Sequence, residues 1–284
     1  MGTMVTVGAA RYFVAESGEG RPLLLLHGFP QTHRCWRAVA PRLSEGHRVV
    51  TPDLRGYGAS EAPPGGPCGE GYTKREIAAE LVELMVGLGH ERFAVVGHDR
   101  GARVAYRMAL DHPARVTRAA LLNVVPTIDQ FERMGGGPSL GFWPWYLLAQ
   151  AAPFPERLLG ADPAALLEHV FATWPSDPGA IDPASREAYR EAMTPSTIAA
   201  MCADYRASFH LDRRHDAGDR AAGRRITSPV LVVTGADETQ LAGAPDVWRA
   251  WADDLTATTV PGGHFVPEES PRELTELLTA FLAD

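Results

Sequence analysis

Phe93-Ala94-Val95-Val96-Gly97-His98-Asp99-Arg100-Gly101-Ala102-Arg103-Val104-Ala105-Tyr106 is the stretch that decides how the chain is read. Residues 93–96 are a short apolar run suited to a strand, and the residues from 102 onward favour helix. The stretch therefore predicts strand, tight turn and helix in immediate succession, the layout of a nucleophile elbow with Asp99 at its apex. Gly97 and Gly101 suit that apex, because a strained turn crowds the next helix and strand and needs small neighbours. Taken alone, the stretch also fits an acidic N-cap in an ordinary strand-helix loop.

An aspartate at the apex, where esterases carry serine, selects a chemistry. If a side-chain oxygen attacks a saturated carbon and expels a leaving group, serine becomes an ether that water does not readily cleave. Aspartate becomes an ester. Water can then attack the carbonyl of Asp99 and regenerate the enzyme, given a histidine to activate the water and backbone donors to hold the oxyanion. Carbon-halogen or epoxide opening is the expectation, and lipase or peptidase activity is not.

Working outward, residues 12–15 and 22–26 read as early strands, the second an unbroken apolar run fit for a central parallel strand. It ends at His27-Gly28-Phe29-Pro30, where the amide of Phe29 could supply half of an oxyanion hole and the amide of Arg100 the other half. Residues 36–43 predict a short helix and 48–51 a strand. Residues 61–71 are rich in glycine and proline and predict loop. Thr73-Lys74-Arg75-Glu76 is a capping box opening a helix that runs to about Leu88. The elbow helix stops near His112-Pro113, and 116–125 predicts a strand interrupted by Asn123.

From 126 to 225 the alternation of strand and helix ceases. This region holds Gly135-Gly136-Gly137, several prolines and helical patches with Trp143, Trp145, Tyr146, Trp174, Tyr189 and Tyr205, and reads as a helical cap over an active site. The sheet resumes at 229–233, followed by Thr234-Gly235-Ala236-Asp237-Glu238. A helix at 245–251, a strand at 257–260 and a closing helix at 271–283 complete the pattern. His264 stands in a glycine loop after the last strand, placed to reach a cleft at the strand C-termini as a general base.

The 284 residues suffice for one large α/β domain with an insertion. A net charge of −8 argues against nucleic acid or an anionic membrane surface, and an anionic substrate would need a local cationic site. Met1-Gly2-Thr3-Met4-Val5 shows no basic-then-apolar leader, so a cytoplasmic location is the expectation. Cys35, Cys68 and Cys202 are scattered and are expected to remain thiols. No metal-ligand spacing, phosphate loop or dinucleotide fingerprint is present, so neither metal nor cofactor is expected.

Four motifs together, His27-Gly28-Phe29-Pro30-Gln31-Thr32-His33, Gly97-His98-Asp99-Arg100-Gly101-Ala102-Arg103, Met201-Cys202-Ala203-Asp204-Tyr205-Arg206-Ala207 and Gly263-His264-Phe265, make the sequence resemble the α/β-hydrolase superfamily over essentially its whole length. More narrowly, it resembles the fluoroacetate/haloacetate dehalogenases. The resemblance implies a mostly parallel sheet flanked by helices, with the core at 1–125 and 226–284 and the helical cap at 126–225. It implies Asp99 as nucleophile, His264 as base and Arg100 with Arg103 gripping a substrate carboxylate, a role that a bidentate guanidinium suits. It implies Trp145 and Tyr205 as halide donors, and suggests a homodimer.

Two positions depart from the family pattern. Pro144 stands where the family has a halide-binding histidine, which should penalise fluoride, the poorest leaving group, most. Asn123 occupies the strand-end position of the family's triad acid; Glu238, at its usual offset from Gly235, is the expected replacement and Asp237 the fallback. Two other readings compete with a dehalogenase of small 2-haloacids. One is an epoxide hydrolase using Asp99 and His264, with Tyr205 and either Tyr146 or His210 protonating the epoxide oxygen. The other is a catalytically impaired ligand-binding relative.

Overall fold

The computed structural model describes residues 2–135 and 137–283; Met1, Gly136 from the middle of the glycine run, and Asp284 lie outside the described residues. Eight strands, β1 (Gly2–Val7), β2 (Ala10–Ser17), β3 (Arg21–Leu26), β4 (His47–Pro52), β5 (Phe93–His98), β6 (Val116–Leu122), β7 (Val230–Gly235) and β8 (Leu255–Val260), make one sheet in the order β1-β2-β4-β3-β5-β6-β7-β8. The β1–β2 and β2–β4 pairs are antiparallel and every other neighbouring pair is parallel. This is the α/β-hydrolase architecture.

The apolar strand runs follow from burial on both faces. Leu24, Leu26, Val50, Val95, Leu121 and Val232 enter one core layer. Their alternates Leu23, Leu25, Val49, Val96, Leu122 and Val233 enter the other. A two-faced strand has no polar side to show, which is why β3 reads as an unbroken leucine run. Cutting one such leucine back to alanine would cost about 2–5 kcal/mol.

The helix Lys74–Gly87 begins with the expected capping box: the Thr73 hydroxyl accepts from the Glu76 amide, and the Glu76 carboxylate accepts from Thr73 N at 3.1 Å. The elbow helix spans Arg100–Asp111, and the closing helix Pro271–Leu282.

Three expectations need correction. The strand expected at 116–125 ends at Leu122, because Asn123 adopts φ +56°, a left-handed conformation that no strand accommodates. The helix expected at 36–43 is two pieces, a 3₁₀ turn His33–Trp36 and a single α turn Ala40–Leu43. Pro41 explains the break, since it has no amide to bond back into a preceding turn. An additional strand, β1, precedes the first expected one; it is a largely exposed edge, so it lacks the apolar face by which strands are recognised.

Between β6 and β7 the described residues form helices, among them Thr127–Arg133, Trp143–Leu147, Phe154–Ala161, Pro163–Thr173, Pro183–Glu191, Pro195–Ala207 and Arg213–Ala221. Five of them start with proline at the first or second position, so the proline breaks in the sequence are helix starts. Asp162, Asp182 and Thr194 cap three of these by accepting from the amides of Ala165, Ser185 and Thr197. Asp204 on the helix Pro195–Ala207 ties this region to the sheet unit, receiving hydrogen bonds from Arg100, Lys74 and Tyr57. Among the described residues no helix is long and apolar enough to cross a membrane.

Candidate active site

The elbow forms as the sequence predicts. Asp99 sits between β5 and the helix Arg100–Asp111 with φ +46° and ψ −113°, a conformation that costs a non-glycine residue on the order of 1–3 kcal/mol. Surrounding contacts hold it there. A Cβ on Gly97 would meet the Gly101 carbonyl at 2.4 Å, and one on Gly101 would meet the Leu26 carbonyl at 2.3 Å. The Asp99 amide donates to the Leu122 carbonyl at 3.1 Å, fixing the apex to the end of β6.

The amide of Phe29 donates to Asp99 Oδ2 at 2.9 Å. One carboxylate oxygen is thus held by the turn after β3. Burial pushes the Asp99 carboxyl up, but His264, Arg100, His98 and Arg103 more than offset this and hold it below the usual carboxylate range.

His264 is fixed from several sides. Its amide donates to the Trp174 carbonyl at 3.1 Å, and its ring meets the Trp174 ring edge-on at 4.9 Å between centroids. Its carbonyl accepts from Asn123 Nδ2 at 2.8 Å and from His98 Nε2 at 2.7 Å. A carbonyl can only accept, so His98 carries its proton on Nε2; burial holds its pKa down to about 3. Ring Nδ1 of His264 lies 3.1 Å from Glu238 Oε2, while Nε2 is buried with no partner among the described residues. Burial lowers the His264 pKa, yet the hydrogen bond and charge of Glu238, together with the charges of Asp99 and Glu269, outweigh it and leave the net value above the ordinary one.

Asn123 does not address the imidazole. Its Nδ2 donates to the carbonyls of Gly263 (2.9 Å) and His264, and its Oδ1 accepts from the Gly235 amide at 2.8 Å. It joins the loop after β8 to the end of β7. Asp237, the fallback acid, accepts from the Ser176 hydroxyl at 2.7 Å.

Asp99, His264, Glu238, Arg103, Trp145 and Tyr205 line one cavity of about 190 Å³, with Pro144 in the same wall. Tyr205 packs edge-on to Phe29 and to Trp145, each at 5.4 Å between centroids. Guanidinium groups lie over both rings: Arg100 at 4.2 Å from the Tyr205 centroid and Arg103 at 4.5 Å from that of Trp145. Such stacking favours a cation and draws electron density from the rings.

The structure places Arg100 differently from expectation. Its side chain turns to Asp204, and Arg100 is not among the residues lining the cavity. Its Nε donates to Asp204 Oδ2 at 2.7 Å and its Nη2 to the Asp204 carbonyl and the Ser208 hydroxyl; only Nη1 is left, buried and without a partner. The cause is Asp204, whose charge a buried guanidinium must answer before it can serve a ligand. The two expected partners of Tyr205 are also not in the cavity wall: Tyr146 is exposed and donates to the Met134 carbonyl at 2.7 Å, and His210 lies in the π-helical turn Ser208–Asp212.

Sequence reasoning missed three contributors. Gln130 lines the cavity and receives a hydrogen bond from Arg103. Glu269 holds the histidine loop, accepting from the amides of Gly263 (2.9 Å) and Phe265 (2.8 Å). Trp174 backs the imidazole. None belongs to a motif; the glutamate five residues after His264 was the one available signal. Among the described residues no cluster of three or more His, Cys, Asp or Glu side chains could hold a metal ion.

Comparison with known proteins agrees with this fold. Residues 21–271 match the α/β-hydrolase fold family. A fluoroacetate dehalogenase from Burkholderia sp. is 40% identical over 99% of this chain and 93% of its own length. A soluble epoxide hydrolase from Corynebacterium sp. (strain C12) is 29% identical over 98% of this chain and 95% of its own. The crystal structure of ALR0039 from Nostoc sp. PCC 7120 superposes with a TM-score of 0.96 at 40% identity, covering 99% of this chain and 97% of that one. The chain is a hydrolase of the α/β-hydrolase fold family, in the group that includes the Burkholderia fluoroacetate dehalogenase.

Proposed function

We propose that the protein hydrolyses the carbon-halogen bond of small 2-haloacids. Asp99 Oδ1 attacks the carbon bearing the halogen, a carbon-oxygen bond forms, and the halide leaves with the bonding electron pair. His264 Nε2 then takes a proton from water, which attacks Cγ of the Asp99 ester. The oxyanion develops on Oδ2, beside the Phe29 amide, with the Arg100 amide at the helix start as the second donor of the hole in this reading. Collapse releases the 2-hydroxy acid, so the net reaction consumes one water and yields halide and a proton.

The observation that carries this reading is the Phe29 amide 2.9 Å from Asp99 Oδ2 in a cavity that also holds His264. A hole aimed at the nucleophile's own carboxylate serves hydrolysis of an ester formed on that carboxylate. Arg103 in the wall supports an anionic substrate, and the cations stacked on Trp145 and Tyr205 support these as halide donors, since a ring beneath a cation is a better N–H or O–H donor. Glu238 orients His264 and stabilises the imidazolium, the role that Asn123 has vacated. The region 126–225 acts as the cap that closes the cavity.

The epoxide reading retains Tyr205 but lacks a second acid in the cavity wall, and a neutral epoxide gives Arg103 no task. A panel of fluoro-, chloro- and bromoacetate beside an epoxide, scored for halide, hydroxy acid and diol, tests the proposal. Halide with glycolate supports it; diol alone overturns it, and no product from any compound favours an impaired relative.

A further inference from the structure

Arg103 is 2% exposed, and three of its five guanidinium N–H groups are already committed. Nη1 donates to the Val125 carbonyl at 3.0 Å and to the Thr127 hydroxyl at 3.4 Å, and Nη2 donates to Gln130 Oε1 at 3.4 Å. Nε alone is buried with no partner among the described residues. With Arg100 committed to Asp204, the two arginines together keep one unpartnered nitrogen each. Arg100 is absent from the cavity lining, so the arginine that addresses a ligand there is Arg103, through its Nε–H and the second N–H of Nη2. Two N–H groups do not satisfy a carboxylate, which offers about four acceptor sites.

Gln130 lies in the first turn of the helix Thr127–Arg133, is 4% exposed and lines the cavity that holds Asp99. The hydrogen bond from Arg103 fixes which end of its amide is the oxygen, because a guanidinium can only donate. The Nε2 end is therefore turned away from Arg103, and it has no acceptor among the described residues. A buried amide with one end satisfied and the other end facing a cavity is a donor set for a ligand acceptor.

We infer that Gln130 is a substrate-binding residue whose Nε2 donates to the carboxylate of the 2-haloacid, so that recognition of the anion is shared between Arg103 and a neutral amide. This rests on the dehalogenase reading for the identity of the substrate. Arg103 does two jobs in it: Nε faces the anion, and Nη2 orients the Gln130 amide. A donor that grips the carboxylate equally in ground and transition states sets KM, whereas one that serves the departing halide sets kcat.

The test uses Gln130→Met, which keeps the length and loses both amide atoms, and Gln130→Glu, which keeps the acceptor for Arg103 and replaces the donor by a negative charge. Thermal melting of each verifies folding. For Gln130→Met, KM for chloroacetate is expected to rise roughly tenfold with kcat within about twofold, the change expected from one hydrogen bond to a charged group. Ligand-observed NMR titration of acetate should show a matching rise in Kd, larger still for Gln130→Glu, while acetamide binding is the same in all three proteins. A fall in kcat at constant KM, or equal weakening of acetate and acetamide, overturns the assignment. If the wild-type protein releases no halide, the dehalogenase reading fails separately. The acetate titration then still decides: weaker binding by Gln130→Met supports the assignment, and unchanged or undetectable wild-type binding overturns it.

Discussion

Glu238 Oε2 lies 3.1 Å from His264 Nδ1, so the carboxylate that addresses the histidine comes from the loop after β7 and not from the end of β6. An acid at this distance fixes the tautomer, leaving Nε2 free to accept a proton from water.

Glu238→Gln should therefore leave alkylation of Asp99 intact and slow hydrolysis of the ester, by up to about 10⁴-fold if the loss matches an acid-to-amide change in the serine-protease triad. Rapid-quench measurement of the two half-reactions separates them. The pH profile gives a second readout. Hydrolysis needs neutral His264, so the rate falls as pH drops through its raised pKa; removing Glu238, which raises it, moves that acid limb to lower pH. An unchanged hydrolysis rate and limb would remove Glu238 from the mechanism.

Asn123→Asp should do harm although it restores the acid of the family pattern. The Asn123 amide donates to two carbonyls, and a carboxylate in its place would set oxygen against oxygen at both. Leaving buried acceptors without a donor costs about 1–3 kcal/mol. The melting temperature is expected to fall by about 2–4 °C per kcal/mol, with no gain in turnover. Faster turnover would show that the β6 position can still supply the acid.

Glu268 carries a pH dependence of stability. It is buried, and burial pushes its pKa up to about 7 despite Arg37 and the hydrogen bonds from Gln31 and Tyr189. A carboxyl raised above its unfolded value contributes stability that is complete below the unfolded pKa and is lost as pH rises through the folded one. Melting temperature should decline between about pH 4.5 and 7 by this contribution, and Glu268→Gln should flatten that decline. A slope unchanged by the substitution would assign it to other groups.

Pro144 lies in the cavity wall where the family pattern has a histidine donor. Chloride and bromide release should exceed fluoride release, and Pro144→His should raise fluoride release most, since a preorganised donor is worth about 2.7–4 kcal/mol in a transition state and fluoride needs it more. Ion-selective measurement on matched haloacetates checks this. Equal or preferred fluoride release by the wild type would contradict it.

The elbow, the sheet and the histidine loop were legible because each is a local signal: an apolar run, a glycine pair, a residue type at a turn. The ends of elements were less so. Asn123 ends β6 through its backbone conformation, and composition carries no trace of that. The engagement of Arg100 was invisible for a different reason. Arg100 and Asp204 lie about a hundred positions apart, and the ion pair that diverts the guanidinium exists only once the helix Pro195–Ala207 has docked. Gln130 was hidden likewise, since nothing marks a glutamine as functional until an arginine fixes its amide.

The most direct test is a single turnover of chloroacetate with excess enzyme in ¹⁸O-labelled water, followed by mass spectrometry of the peptide containing Asp99 and of the glycolate. The account predicts one heavy oxygen in the Asp99 carboxylate and an unlabelled product hydroxyl, since the product takes its oxygen from the side chain. Label in the glycolate hydroxyl and none in Asp99 would mean that water attacks the substrate directly, which contradicts the account.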